Sequence, residues 1–315
     1  MSTSVKLSAY VAVLALLLGG SWLVGSVVGP VSAAPVATGA AEGAAPVAEP
    51  AGHGHGGPTA GGDAPATSAL PGGLASSRDG YTFEPVTATL QPGTRQDFAF
   101  RITGPDGTPV TAFDVEHDKR MHLIVVRRDA TGFQHVHPEM AADGTWSVPL
   151  TLPAGGSYRA FADFAPTGGK GLTLGVDLAA PGVFEPVAPH PSRVAEVDGY
   201  RVELAGELVP GQASPVTLTV SRDRQPVTDL EPYLAAYGHL VALRDGDLAY
   251  LHVHPEGTPG DGRTPAGPRV EFVAEVPSAG TYRLFLDFQH AGVVRTAEFT
   301  VPTGADQLGT DGHGH

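Results

Sequence analysis

Six histidines carry the strongest chemical signal in this chain. Residues 121–139 read MHLIVVRRDATGFQHVHPE, and residues 238–256 read GHLVALRDGDLAYLHVHPE. His122, His135 and His137 thus recur as His239, His252 and His254, each displaced by 117 residues. A constant displacement means equal loop lengths and so the same register in both copies. Neutral imidazoles bind Cu(II), Zn(II) or Ni(II), and copper is favoured by the usual divalent order. Histidines at i and i+2 of a strand leave the same face. If the turn after His122 gives an even-length loop, His122 joins that face, with directly opposed Cβ atoms about 4.5–5.5 Å apart. Each triplet then reaches one ion, which predicts one three-histidine site per domain.

Auxiliary donors are few. Met121 would add a thioether in the first copy, but Gly238 takes its place in the second. Asp163 and Asp287 recur in the strings SYRAFADF and TYRLFLDF as candidate outer carboxylates or fourth ligands. Their bland alternative is a salt bridge to Arg159 or Arg283. The triplets have a bland alternative too: packed, hydrogen-bonded histidines on half-buried strands. His117, His190 and His290 have no counterpart in the other copy and read as surface or packing residues, although His290 would lie near the second triplet.

The elements that must position these groups follow from the repeat. Residues 109–111 recur at 226–228, whereas the SYRAFADF match is displaced by 124, so seven residues are added between 256 and 270, in a surface loop. Short β-branched and aromatic segments alternate with Gly, Pro and Asp every 8–12 residues, the spacing of an antiparallel sandwich. The first copy predicts strands near 83–90, 96–103, 121–127, 133–137, 145–152, 157–164 and 171–178. The second predicts 200–207, 215–221, 239–244, 248–254, 269–276, 281–288 and 293–301, with one helical turn within 230–237. The fold class is therefore all-β, with two tandem immunoglobulin-like or cupredoxin-like sandwiches over 79–188 and 189–302.

Ahead of them, residues 1–29 place Lys6 before an apolar run from Leu7 to Val28, a transmembrane anchor or a cleaved signal peptide. Both readings put the rest outside the cytoplasm, tethered to the membrane or secreted. Residues 30–78 form an Ala/Gly/Pro-rich tether with His53 and His55, and 303–315 a tail with His313 and His315. The chain of 315 residues has no cysteine, which excludes disulfides and thiolate metal sites. A net charge of −14 argues against nucleic acid as a partner.

At HLIVVRRD, FQHVHP and YRAFADF the chain resembles exported actinobacterial tandem-sandwich proteins. More loosely, it is similar to the YtkA-like domains of extracytoplasmic metal-handling proteins. The resemblance covers about 79–302 and implies an exported sandwich tied to heavy-metal handling, above all copper, with an extracytoplasmic metal-transport partner. Cupredoxin electron transfer is not implied, since a His₂Cys site needs a cysteine. The expected function is a metal-binding protein that buffers or carries Cu(II) or Zn(II). A cell-surface interaction module with structural histidines is the alternative, and a metal-assisted hydrolase comes third. No nucleophile elbow, phosphate loop or H-E-x-x-H helix is present.

Overall fold

The computed structural model describes residues 71–304, which fall in one compact unit. The predicted N-terminal helix, most of the tether and the histidine-bearing tail lie outside the described residues, as do the side chains of His252 and His254. Among the described residues no helix is long and apolar enough to cross a membrane.

The chain folds into two antiparallel β-sandwiches. The first contains β1 (Ser77–Arg78), β2 (Tyr81–Pro85), β3 (Gln96–Thr103), β4 (His122–Arg127), β5 (Gln134–Val136), β6 (Glu139–Met140), β7 (Trp146–Leu150), β8 (Gly156–Phe164) and β9 (Leu172–Ala180). The second contains β10 (Val194–Val197), β11 (Tyr200–Ala205), β12 (Ala213–Arg222), β13 (Gln225–Pro226), β14 (His239–Arg244), β15 (Tyr250–His252), β16 (His254–Pro255), β17 (Arg269–Glu275), β18 (Thr281–His290) and β19 (Val293–Pro302). In the first, a sheet ordered β1-β2-β3-β7-β6 packs on one ordered β5-β4-β8-β9. The second repeats this as β10-β11-β12-β17-β16, with β13 beside β12, packed on β15-β14-β18-β19. That is the strand order of an immunoglobulin-type sandwich. Each copy also bears a tyrosine corner at the start of its penultimate strand. The Tyr158 hydroxyl donates to the Ala154 carbonyl at 2.8 Å, and that of Tyr282 to Ser278 at 2.9 Å.

Two predicted strands break where the sequence reads HVHPE. The 133–137 segment keeps only β5 and pairing resumes after Pro138 as β6, while 248–254 gives β15 and the start of β16; β5 and β6 lie in different sheets, as do β15 and β16. The chain crosses from one sheet to the other here, so the ladder must be released, and Pro138 has no N–H to continue it. The predicted helical turn within 230–237 is instead a tight turn bridging Tyr233 and Ala236, with Leu234 and Ala235 at positive φ. The same turn occurs at Glu116–Lys119, with His117 and Asp118 at positive φ.

Among the described residues, three apolar clusters hold the fold together. Two are the sandwich cores, one around Phe98, Phe100 and Trp146 and the other around Tyr200, Phe272 and Phe299. The third lies between the sandwiches and contains Ile124, Val126, Phe161, Val241, Leu243, Tyr250 and Phe285. Alternation along β4 explains it: Leu123 and Val125 enter the first core, while Ile124 and Val126 enter the joint. At the joint Phe133 stacks on Phe285 with centroids 4.0 Å apart and rings 5° from parallel. Such a pair is worth about 0.5–1.5 kcal/mol beyond its burial.

A strap ahead of β1 crosses the seam. Gly72 bridges to Tyr250 of the second sandwich, and the Gly73 N–H donates to the Thr173 carbonyl of the first at 2.9 Å. Arg159 donates to the carbonyls of Gly73 at 2.6 Å and Leu74 at 2.9 Å. Only glycine suits position 73, where φ is +72° and a Cβ would collide with the Phe161 ring.

Candidate metal centre

The first triplet sits at the end of the joint. Leu123 pairs with Val136 and Ile124 with His135, so the register continues to place His122 opposite His137. Directly paired residues share a face, and this is the joint face rather than the core face. One ligand atom from each of His122, His135 and His137 lies within 4.8 Å of the others. Nitrogens 2.0–2.1 Å from a tetrahedral ion stand about 3.4 Å apart. Side-chain shifts of about an ångström would let the triplet hold one such ion.

The second sandwich contributes to the same place. His135, His239 and Asp287 form a second group whose ligand atoms lie within 4.8 Å of one another. The His239 ring stacks on His122 with centroids 5.6 Å apart and 9° between planes, and stands 4.7 Å from His135. The register explains this convergence. His122 pairs with Asp163 across to β8, His239 pairs with Asp287 across to β18, and the two sheets face each other. In the second sandwich Val241 pairs with His252, which leaves His254 on the strand that joins the other sheet through Val273.

A hydrogen-bonded relay runs through the centre. His122 Nε2 donates to the Glu116 carbonyl at 3.0 Å, which makes His122 Nδ1 an acceptor. His135 Nε2 donates to it at 3.0 Å, and His135 Nδ1 lies 2.8 Å from Asp287 Oδ2. Three bonds need three protons, one more than two neutral rings carry. The third belongs to the His135–Asp287 contact, whose side chains are only 1% and 4% exposed. Thr296 donates to the other carboxylate oxygen at 2.6 Å and fixes its orientation. His137 Nε2 is buried with no hydrogen-bond partner among the described residues.

Burial makes these rings poor bases. It pushes His122 down to about 4, with His135 nearby adding to the effect and the bond to Glu116 opposing it. Burial also pushes His137 down to about 3, helped by His135 and His122. Both are thus neutral, metal-competent imidazoles at ordinary pH. Tyr233, its ring 6.4 Å from His137, is pushed up to about 12 by burial and by Asp287.

The auxiliary donors fare differently. Met121 is 1% exposed and packs in the first core, because the residue before His122 on an alternating strand faces the other way. Asp163 accepts from Thr173 at 2.7 Å and from Tyr250 at 3.3 Å. The salt bridges to Arg159 and Arg283 are not what these aspartates make. Four residues along a strand is about 13 Å, too far for a contact. Arg159 instead binds Asp177 and the strap, and Arg283 binds Glu298, Thr300 and the Ala130 carbonyl across the joint.

Sequence reasoning passed over His117. Its ring lies 6.1 Å from His122 and 5.7 Å from His239, at the edge of the cluster. No repeat signal marks it, since its counterpart is Leu234. His290 is held by Tyr200 at 2.6 Å and Asp229 at 3.1 Å.

A family model, the domain of unknown function DUF8832, matches residues 75–181 and again 195–305. The chain belongs to the DUF8832 family. Its two DUF8832 domains are the two sandwiches, and the histidine cluster forms where their equivalent faces meet. No functionally curated protein matches the chain. Among solved structures, it is similar to FdeC, an adhesin of Escherichia coli, at 13% identity and a TM-score of 0.25, over 72% of this chain and 65% of the adhesin chain. It is similar to an alpha-2-macroglobulin of Salmonella at 13% identity and a TM-score of 0.26, over 74% of this chain and 15% of the other. A protein of Corynebacterium diphtheriae matches at 10% identity and a TM-score of 0.22, over 71% of this chain and 57% of the other. Likeness at these scores carries no functional argument for the DUF8832 domains.

Proposed function

We propose that this is an exported protein that binds a divalent ion, Cu(II) or Zn(II), at the histidine cluster and buffers or carries it. The carrying observation is the convergence of His122, His135 and His137 within 4.8 Å, with one buried nitrogen of His137 lacking a hydrogen-bond partner among the described residues. All donors in reach are nitrogen or oxygen, which suits borderline divalent ions and disfavours Cu(I). The His135–Asp287 contact is the pairing that orients a ligating imidazole and raises its basicity. Export, with an anchoring or cleaved leader, and the metal-handling kinship of YtkA-like domains belong to the same reading.

A second reading has its own observation. His122 and His135 use all four ring nitrogens in the chain from Glu116 to Asp287, so the cluster is satisfied there without an ion. On that reading the histidines cement the joint of a cell-surface interaction module, with a binding role and no catalysis. Equilibrium dialysis of the full chain against Cu(II) separates the two. Metal binding predicts retention that falls at least about 100-fold in affinity for His137→Ala, since a ligand is lost. Equal retention by wild type and by a His135→Ala, His137→Ala double variant leaves only the interaction module.

A further inference from the structure

Among the described residues, the two candidate ligand groups at the joint overlap at a single residue, His135. We propose that the joint is a two-ion site bridged by the His135 ring, with one divalent ion on His122, His135 and His137 and a second on His135, His239 and Asp287. This rests on the metal-binding reading above.

The ring's two nitrogens serve opposite sides of the joint. Nε2 lies 3.0 Å from His122 Nδ1, toward the first sandwich's own ligands. Nδ1 lies 2.8 Å from Asp287 Oδ2, toward the second sandwich. No other donor has to serve twice. Each group supplies three donors, which leaves an open position on each ion. Asp287 is prepared for a first-hand role, because Thr296 holds Oδ1 and leaves Oδ2 aimed at His135.

Proton and charge balance favour the pair. Each contact of His135 is a hydrogen bond, and an ion replaces its proton. The first ion displaces the proton between His122 and His135, and the second displaces the one in the His135–Asp287 hydrogen bond. His122 keeps its Nε2 proton on the Glu116 carbonyl. Two protons leave, and His135 remains as an imidazolate whose negative charge, with that of Asp287, offsets part of the added positive charge. Imidazole with carboxylate suits Cu(II) or Zn(II) at the second position as well.

The test uses the full chain with His53, His55, His313 and His315 replaced by alanine, so that the termini take no copper. Bound Cu(II) is measured after dialysis, and its unpaired spins are counted by electron paramagnetic resonance. Asp287→Asn should remove one equivalent, His137→Ala one, and His135→Ala two. Two copper ions on a shared imidazolate couple their spins, so the wild-type signal should fall well short of the bound copper. Asp287→Asn should restore one full spin for the ion that stays. The wild-type spin count needs no variant to fold. If Asp287→Asn weakens binding without changing stoichiometry, or the wild-type spins match the copper, the pair is overturned and a single-ion site stands. If the wild type retains no copper, the metal-binding reading falls with it.

Discussion

At the joint, Asp287 of the second sandwich meets the ring of His135, whereas its counterpart Asp163 in the first receives the hydroxyls of Thr173 and Tyr250. The strands around them are equivalent, and so are the partners Thr296 and Thr173. What differs is a handful of side chains. Tyr250 occupies the place of Phe133, and only the tyrosine has a hydroxyl to offer across the seam. Tyr233 and Leu234 replace Glu116 and His117 in identical turns. Duplication supplied a near-symmetric scaffold, and a few substitutions changed what surrounds its two carboxylates. Asp287 bonds an imidazole, and Asp163 accepts from a phenol.

The largest expected effect tests what the halves share. Phe161 and Phe285 are equivalent and both fully buried at the joint. Truncating either to alanine should cost about 3–5 kcal/mol by chemical denaturation. A loss below about 1 kcal/mol for both would mean that the seam contributes little to stability.

Acid should come next. His122 and His137 titrate in the folded protein at about 4 and about 3, below the free value of 6.5. The unfolded chain therefore takes up protons first as pH falls. The stability tied to keeping these rings neutral is complete above about pH 6.5 and is lost on the way down to pH 4 and below, on the order of 3 kcal/mol for each ring. Replacing both with asparagine should flatten denaturation midpoints between pH 6.5 and 4. An unchanged slope would show that the rings are not held neutral.

A smaller effect separates the two carboxylates. Asp287→Asn should reduce total copper retention, while Asp163→Asn should leave the affinity of the first triplet within about threefold, a difference read by titration with Cu(II). Equal losses would restore symmetry to the joint. Smallest of all, Tyr250→Phe removes the hydroxyl bonded to Asp163 and should cost about 1 kcal/mol in thermal or urea unfolding. Phe133→Ala, which empties the matching place, should cost more, because it removes the stack on Phe285.

Much of this was legible beforehand in particular residues. HLIVVR and HLVALR with their HVHPE partners announce two hairpins, and the Gly, Pro and Asp punctuation announces sandwiches. Burial of β4 on both faces was written in its unbroken apolar run, where a strand with one wet face would alternate. His117 had no repeat to mark it, and Asp287 was visible only as a neighbour of its own triplet.

The sequence by itself determined the repeat, the all-β class and the six paired histidines, because strand period and turn chemistry are local. Only the tertiary structure decided that the two histidine faces turn toward each other and that Asp287 reaches the other copy's ring. Those are contacts between residues as many as 152 positions apart. They depend on how two apolar sheet faces cover one another, which no local pattern encodes.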